Sequence, residues 1–406
     1  MPPPAASARA PGPRRGGVFF DARRRPCLPA SAAMPDAGLA SADTMETDVA
    51  DVGVAEVLAA QSRLRRFLPV TPMHHAERFG VWLKLENLQR TGSYKVRGAL
   101  NALLAARERG DRRPVICASA GNHAQGLAWA AYRLGVQAIT VMPHGAPQTK
   151  IAGVAHWGAT VRQHGHSYDE AYEFARRLAE QNGYRFLSAF DDPDVIAGQG
   201  TVGIEIAPYA PDVVIVPIGG GGLASGVALA LKSQGVRVVG AQVEGVDSMA
   251  RAIRGDTAPR DPAPTLADGV RVKVPGFITR RLCARLLDDV VIVREAELRE
   301  TLVRLALEEN LIAEGAGALA LAAGRRVAGR RKCAVVSGGN IDATVLATLL
   351  SEVRPRPPRK PRRRAAPPLA EPRPPRQRAG TAAGIPFPVT PAPEPAQPVS
   401  KEESTW

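Results

Sequence analysis

The sequence predicts an α/β fold built on mainly parallel sheet, and three observations support that class. Six short apolar segments are separated by longer stretches of helical character, the pattern of parallel strands joined by crossover helices. Glycine-containing turns directly follow three of these segments, at the sheet edge where ligands bind in open parallel sheets. A chain of 406 residues is also long enough to bury a sizeable core.

The six apolar segments are the predicted strands. They cover residues 114–117, 138–142, 184–188, 213–218, 237–243 and 332–336. No apolar run in the chain approaches the length of a membrane span, so we expect no membrane segment.

The first functional segment is KLENLQRTGSYKVRGA, residues 84–99, which contains Lys95 between Tyr94 and Val96. A lysine in an apolar, partly desolvated pocket loses its ammonium charge more easily and can form an imine with a carbonyl cofactor. The alternative is an ordinary surface lysine, because a TGS turn followed by a helix is common.

The second segment is ASAGNHAQG, residues 118–126, which follows an apolar strand and precedes a predicted helix. The free N–H groups at that helix start, with Ser119, Asn122 and His123 beside them, can hold a carboxylate or a ring oxygen. The alternative is a plain strand-to-helix junction in which Asn122 caps the helix.

The third segment is PIGGGGLASG, residues 217–226, between a strand and a helix. Its four glycines let the backbone approach a phosphate closely, and the helix dipole adds partial positive charge. No Lys-Ser/Thr pair follows, so this is not a nucleotide P-loop. The alternative is a dinucleotide site, G-x-G-x-x-A, with Glu244 in the position of a ribose-binding acid.

The fourth segment is VVSGGNID, residues 335–342, in which Ser337 follows the last predicted strand. Its hydroxyl would lie at the carboxyl edge of the sheet, available to a ligand. The alternative is a serine that caps the last helix.

One hypothesis uses all four segments, since an imine lysine, a ring-oxygen contact, a phosphate cup and a hydroxyl for a ring nitrogen are what pyridoxal phosphate needs. The chain closely resembles the fold-type II (tryptophan synthase β-like) pyridoxal-phosphate enzymes. Within them it resembles the serine/threonine dehydratase family, in the threonine dehydratase (threonine ammonia-lyase) group. The resemblance runs from about Thr71 to about Glu352 and includes TLADGVRVKVPG (265–276) and EGAGALALA (314–322).

The resemblance implies a fold of two lobes, each with a mainly parallel sheet flanked by helices, and it assigns site residues. Lys95 would be the catalytic Schiff-base lysine. The other cofactor-binding residues would be Tyr94, Asn122, Gly219, Gly220, Gly221, Gly222, Leu223, Ser337 and Glu314. The residues near the substrate carboxylate would be Ser93, Ser119, Gly121 and His123.

The reaction implied is elimination from L-threonine to give 2-oxobutanoate and ammonia, with L-serine to pyruvate as a second activity. The neutral Ser337 hydroxyl would leave the cofactor ring a weaker electron sink, which favours rapid loss of a β leaving group over transamination. The alternatives are a serine dehydratase or racemase, a β-replacing enzyme and, from another class, a dinucleotide-dependent oxidoreductase.

Two departures from the family pattern narrow these alternatives. Racemases of this family have a second serine where this chain has Ala120, so racemisation is disfavoured. The divalent-cation site of the group is matched by Glu244 but not by Ala250, so no metal is expected; the alternative is that Asp247 takes the place of the missing acid.

The net charge of +14 belongs to the two ends of the chain. Residues 1–25 carry an excess of +5 and residues 354–378 an excess of +9, which together equal the whole net charge. Both ends are rich in proline, alanine and arginine and are expected to be disordered. Without an aromatic stacking platform beside these arginines, we do not expect nucleic-acid binding.

The expected domain organisation follows from these ends. A basic extension would cover residues 1–44, a catalytic domain residues 45–352, and a Pro/Arg-rich tail residues 353–406, with no regulatory domain. By resemblance, a small lobe of about residues 91–187 would be inserted into a large lobe.

The remaining expectations concern compartment and assembly. Four isolated cysteines, Cys27, Cys117, Cys283 and Cys333, have no metal or disulfide spacing and fit a reducing, cytoplasmic compartment. The resemblance implies a small amino-acid substrate and a homodimer or homotetramer.

Overall fold

A computed structural model describes residues 52–352. The extension expected over residues 1–44 and the tail expected over residues 353–406 lie outside the described residues. The expected domain boundaries therefore stay predictions.

The described residues form two sheets. The strands are β1 (Met73–Ala76), β2 (Val81–Leu85), β3 (Val115–Ala118), β4 (Ala138–Met142), β5 (Thr160–Gln163), β6 (Arg185–Phe186), β7 (Val213–Pro217), β8 (Arg237–Val243), β9 (Asp289–Val293) and β10 (Lys332–Val336). One sheet has the order β1-β2-β10-β7-β8-β9 and is parallel except for β1, which pairs antiparallel with β2. The other has the order β5-β4-β3-β6 and is parallel throughout.

Helices connect and cover the strands. They are α1 (Val54–Leu64), α2 (Lys95–Glu108), α3 (Asn122–Leu134), α4 (Gln148–Ala155), α5 (Tyr168–Asn182), α6 (Pro193–Ile206), α7 (Gly222–Leu231), α8 (Ser248–Ile253), α9 (Phe277–Leu286), α10 (Glu295–Glu308), α11 (Gly315–Ala323) and α12 (Ala343–Ser351). Two mainly parallel sheets flanked by helices confirm the predicted fold class. Among residues 52–352, no helix is both long and apolar enough to cross a lipid bilayer.

The predicted strands agree closely with the observed ones. β4, β8 and β10 have the predicted bounds, while β3, β6 and β7 differ from the prediction at their ends by one to three residues. β1, β2, β5 and β9 are not among the predicted strands. β5 is a largely exposed edge strand with polar residues, and in β2 the apolar pattern is interrupted by Lys84, which is fully buried.

The strand order explains how distant segments meet. β10 lies between β2 and β7 and is parallel to both, so the carboxyl ends of these three strands are adjacent. The lysine segment follows β2, Ser337 follows β10 and the glycine segment follows β7. Ligand sites of open parallel sheets lie at this edge.

Candidate active site

Backbone hydrogen bonds join the lysine segment to the Ser337 loop. The N–H of Tyr94 donates to the carbonyl oxygen of Ser337 at 3.1 Å, and the N–H of Gly339 donates to that of Gly92 at 2.9 Å. Ser93 and Gly338 form an isolated antiparallel bridge between these two bonds. The two segments therefore form a single surface at the edge of the large sheet.

Lys95 is the first residue of α2. Its Nζ donates to the carbonyl oxygen of Ala189 at 2.9 Å and lies 5.3 Å from the centre of the Tyr94 ring. Burial lowers the pKa of Lys95 from 10.5 to about 8, against the opposing charge of Glu314. A useful fraction of neutral amine is therefore present near neutral pH.

Asn122 begins α3 but does not cap it, because no side chain caps this helix and Gly121 is the residue before it. Its Nδ2 instead donates to Oε1 of Glu314 at 2.7 Å, and its Oδ1 accepts from Nδ2 of Asn340 at 2.8 Å. The capping alternative for Asn122 is therefore wrong. The capping alternative for Ser337 is also wrong, since Asp342 caps the last helix.

Glu314 lies at the start of α11 and is buried. Burial, and after it the charge of Asp268, raises the pKa of Glu314 to about 7. Its N–H donates to the carbonyl oxygen of Gly338 at 3.0 Å, so α11 is also attached to the Ser337 loop. The site thus contains a carboxyl group that changes charge near neutral pH.

The glycine segment forms a cup at the N-terminus of α7. No described residue accepts a hydrogen bond from the backbone N–H groups of Gly219 to Leu223. Gly221 has a φ of 98°, which favours glycine. A Cβ on Gly220 would lie 2.3 Å from Cγ of Phe190, so the Phe190 ring packs directly on this glycine. These free N–H groups, with the helix dipole, suit a phosphate.

Two further hydroxyl groups lie in the site. The Ser337 hydroxyl is buried and donates to the carbonyl oxygen of Ala316 at 3.2 Å. Ser93 is fully buried, and its Oγ has no hydrogen-bond partner among the described residues. A buried hydroxyl without a partner is costly, which indicates that a bound group completes its hydrogen bonding.

The residues expected near a substrate carboxylate differ in what they can offer. The Ser119 Oγ accepts from the N–H of Gly121 at 3.2 Å, so this hydroxyl can still donate. His123 is buried, with Nε2 3.4 Å from the carbonyl oxygen of Leu187. Burial, and after it the charge of Lys95, lowers the pKa of His123 to about 3, so its ring is neutral. Hydroxyl and backbone donors, not a histidine charge, are therefore available here.

Arg97, two residues after Lys95, lies at the centre of a buried network of charged side chains. Arg97 donates to both carboxylate oxygens of Glu86 at 2.7 and 2.8 Å and to both oxygens of Glu205, at the same two distances. Lys84 donates to Glu205 at 2.6 Å and to the carbonyl oxygen of Thr71 at 2.7 Å. Two cations thus balance two carboxylates, and the network fixes the start of α2 against β2 and α6.

The segment between β6 and α6 also contributes to the site, although none of its residues was predicted to do so. Ala189 accepts from Lys95, Phe190 covers the glycine cup, and Asp191 accepts from three N–H groups at the start of α9. Nothing in the residue types of this segment indicates these contacts. Asn340 was also missed, although it lies inside the VVSGGNID segment and its amide could have suggested a polar contact.

The described residues fit pyridoxal phosphate. They provide a lysine of lowered pKa, a cup of free N–H groups for a phosphate, and a hydroxyl at the edge of β10 for the ring nitrogen. Asn122 uses only one of its two amide hydrogens, on Glu314, so the other is available for a ring oxygen. The unpartnered Ser93 hydroxyl is consistent with a group that binds beside Lys95.

The metal prediction concerned Glu244 and Ala250. Glu244 is exposed after β8, and Ala250 is buried in α8. Within the part of the chain that the structure describes, no three His, Cys, Asp or Glu side chains converge in a way that could hold a metal ion.

Comparisons with known proteins show which proteins the chain is similar to. The family model for pyridoxal-phosphate dependent enzymes matches residues 64–339. An L-threonine ammonia-lyase of Thermotoga maritima is 45% identical over 280 residues, covering 67% of this chain and 70% of the relative. The catabolic L-threonine dehydratase of Escherichia coli K12 is 40% identical over 308 residues, covering 72% and 94%. The processed form of threonine deaminase isoform 2 from Solanum lycopersicum has a TM-score of 0.69 and 35% identity, covering 74% and 92%.

Proposed function

Because the chain belongs to the family of pyridoxal-phosphate dependent enzymes, we propose that it converts L-threonine into 2-oxobutanoate and ammonia. The observation that carries this function is the position of Lys95. Its amine has a lowered pKa and lies at the same sheet edge as the glycine cup. The relatives named for L-threonine support the choice of substrate.

Each group of residues would hold a different part of the cofactor. Lys95 would bond its aldehyde carbon, and the N–H groups of Gly219 to Leu223 would bind its phosphate. Asn122 would donate to its ring oxygen, and Tyr94 would pack beside its ring. The Ser337 hydroxyl has one hydrogen, now donated to Ala316, and a bound ring nitrogen would compete for it.

The chemistry of the chain centres on one proton. Bound pyridoxal phosphate supplies a conjugated ring that withdraws electrons from the substrate Cα. The substrate amine would replace Lys95 on the aldehyde carbon, and the freed neutral Lys95 amine would then take the Cα proton. The carbonyl oxygen of Ala189, which accepts from Nζ of Lys95, would orient this amine. Loss of the β-hydroxyl as water, followed by hydrolysis, gives the 2-oxo acid and ammonia. Ser93 and Ser119 would hold the substrate carboxylate beside Lys95, and Gly121, whose N–H donates to the Ser119 Oγ, would orient that hydroxyl.

The alternatives have less support. Ala120 offers no hydroxyl that could return a proton to the opposite face of Cα, so elimination is favoured over racemisation. Membership of the pyridoxal-phosphate family leaves the dinucleotide interpretation of the glycine segment without support. L-Serine differs from L-threonine by one methyl group, and we propose it as a second, weaker substrate.

The function is tested by incubating the cofactor-loaded protein with L-threonine and measuring 2-oxobutanoate. Release of 2-oxobutanoate with an equal amount of ammonia is expected. A protein that binds the cofactor but releases no oxo acid from L-threonine or L-serine would contradict the proposed reaction. D-threonine is the control substrate. It could bind in the site, but its Cα proton has the opposite position, so it should release no 2-oxobutanoate.

The lowered pKa of Lys95 predicts how cofactor capture depends on pH. Only the neutral amine bonds the aldehyde, so the rate of capture by the cofactor-free protein should rise about tenfold between pH 6 and 7. The rate should level off above a midpoint near the Lys95 pKa of about 8. Stopped-flow absorbance measures this rate, and a further tenfold rise between about pH 9 and 10 would indicate an ordinary lysine instead.

Replacement of Gly220 by alanine tests the phosphate cup. The new Cβ would meet the Phe190 ring at 2.3 Å, and overpacking of this kind typically costs about 1–3 kcal/mol. We expect Gly220→Ala to raise the dissociation constant of the cofactor by about 10- to 100-fold, measured by absorbance titration. Gly145→Ala is the control, since a Cβ there meets nothing within 4 Å. Equal cofactor affinity in both variants would argue against the cup.

We also propose where the protein is located and how it assembles. Cys117, Cys283 and Cys333 are buried free thiols, which suits a cytoplasmic location. We also propose a homodimer or homotetramer, which light scattering would test.

A further inference from the structure

Asn340 contacts two of the segments that form the active site. It lies three residues after Ser337, and its Nδ2 donates to the carbonyl oxygen of Thr91 at 2.8 Å and to Oδ1 of Asn122 at 2.8 Å. Both of its amide hydrogens are thus used, one on the lysine segment and one on the asparagine segment. The proposed mechanism gives Asn340 no role.

The contact with Thr91 fixes the orientation of the Asn340 amide. A backbone carbonyl oxygen only accepts hydrogen bonds, so the Asn340 atom that faces Thr91 must be the NH₂ nitrogen. The same nitrogen faces Asn122, and for this reason the Asn122 atom that faces Asn340 must be its oxygen. The NH₂ group of Asn122 then points the other way, toward Oε1 of Glu314 at 2.7 Å.

The backbone of Thr91 shows that this contact is held against strain. Thr91 has a φ of 60°, a left-handed conformation that is unfavourable for a β-branched residue. Such a conformation persists only when its surroundings determine it. Gly92, the next residue, is tied on both sides by hydrogen bonds to Gln89 and Gly339. The Thr91 carbonyl is thereby held toward Asn340.

We infer that Asn340 is a positioning residue, which fixes the Asn122 amide so that its NH₂ group, not its oxygen, faces the ring oxygen of bound pyridoxal phosphate. The inference rests on the proposed function, because it assigns Asn122 to that ring oxygen. Without Asn340, only the hydrogen bond to Glu314 holds the Asn122 amide, and a carboxyl group that carries a proton can donate instead of accept. The Asn122 amide can then turn and present an acceptor to another acceptor. The relay from the Thr91 carbonyl through Asn340 removes that possibility.

The test compares two substitutions in the cofactor-loaded protein. Asn340→Asp keeps the size and shape of the side chain but replaces the donor by an acceptor, whereas Asn340→Ala only removes the anchor. If Asn340 acts by orienting Asn122, Asn340→Asp is the more harmful change. We expect kcat/KM for L-threonine to fall about 10- to 100-fold in Asn340→Asp and about threefold to tenfold in Asn340→Ala.

A spectroscopic readout separates orientation from a general structural effect. A hydrogen bond to the ring oxygen changes its acidity, so the pH midpoint of the absorbance change of the bound cofactor should shift by at least about 0.5 units in Asn340→Asp. Asn182→Asp is the matched control, because Asn182 is exposed at the end of α5 and should change neither quantity. Thermal unfolding of each variant shows whether it is folded.

Three outcomes would overturn the inference. The first is an Asn340→Asp variant with wild-type kcat/KM and pH midpoint. The second is an Asn340→Ala variant that is more impaired than Asn340→Asp. The third applies if Asn340→Asp does not fold, and is an Asn340→Ala variant with unchanged kcat/KM and pH midpoint. A wild-type protein that never shows the absorbance of a lysine-bound cofactor would instead contradict the proposed function.

Discussion

Replacing Lys95 with alanine is expected to abolish threonine turnover. The variant loses the amine that holds the cofactor and the base that takes the Cα proton, so we expect kcat to fall by about 10⁴-fold or more. The measurement is 2-oxobutanoate release by the purified variant with excess cofactor. The variant should also lack the lysine-dependent absorbance of the bound cofactor.

Two further variants distinguish the chemistry of Lys95 from its charge. Lys95→Arg keeps the positive charge but stays protonated, and we expect it to be as inactive as Lys95→Ala. Lys273→Ala removes a surface lysine paired with Asp261 and should leave turnover unchanged. Wild-type turnover by cofactor-loaded Lys95→Ala would show that this lysine has been assigned wrongly.

Replacing Arg97 with methionine is expected to destabilise the fold more than any surface substitution. Arg97 is buried and neutralises Glu86 and Glu205, so its loss leaves Lys84 alone to balance two buried carboxylates. Removing one partner from a buried charge network typically costs about 3–5 kcal/mol. We expect a loss of that size in the free energy of unfolding, measured by urea denaturation at pH 8.

The pH dependence of this loss has a definite sign. Burial alone would raise the pKa of Glu205, but Arg97 and Lys84 reverse this and lower it. Without Arg97 a carboxylate can take up a proton instead, so the deficit should shrink as the pH falls from 8 toward 5.

Arg97→Met with Glu86→Gln should recover part of the stability. Arg113→Met, in the exposed pair with Asp111, is the control, and a deficit as small as in that control would contradict the role of the network.

The parts of the fold that follow apolar patterning could be predicted from the sequence. β4 in the four-stranded sheet and β8 and β10 in the six-stranded sheet are mainly apolar because both faces of each sheet are covered, and their predicted bounds match the structure. β2 could not be predicted in this way, since Lys84 interrupts its pattern. This lysine is acceptable there because Glu205, distant in sequence, and the carbonyl oxygen of Thr71 accept from it. β9, DVVIV, is an apolar run but is not among the predicted strands.

The residues of the site also fall into two groups, those that their residue types indicate and those that only the fold brings into contact. Lys95, Asn122, the glycine cup and Ser337 lie in segments whose residue types already indicate chemistry. Ala189 contributes only a carbonyl oxygen, which every residue possesses, and Phe190 acts through its packing on Gly220. Such contacts depend on which segments meet in space, and a sequence without its fold does not show that. Asn340 lies between these cases, because its amide is visible in the sequence but its two acceptors are not.

The position of β10 between β2 and β7 has a consequence for how the protein is made. β10 is the last strand of the described chain and pairs with both neighbours, so the growing polypeptide lacks the centre of the large sheet until residue 336 has left the ribosome. Pairing between segments so distant in sequence is slow to form. Among the described residues, the binding site is therefore one of the last parts to assemble, and the cofactor would be captured only after β10 has paired with β2 and β7.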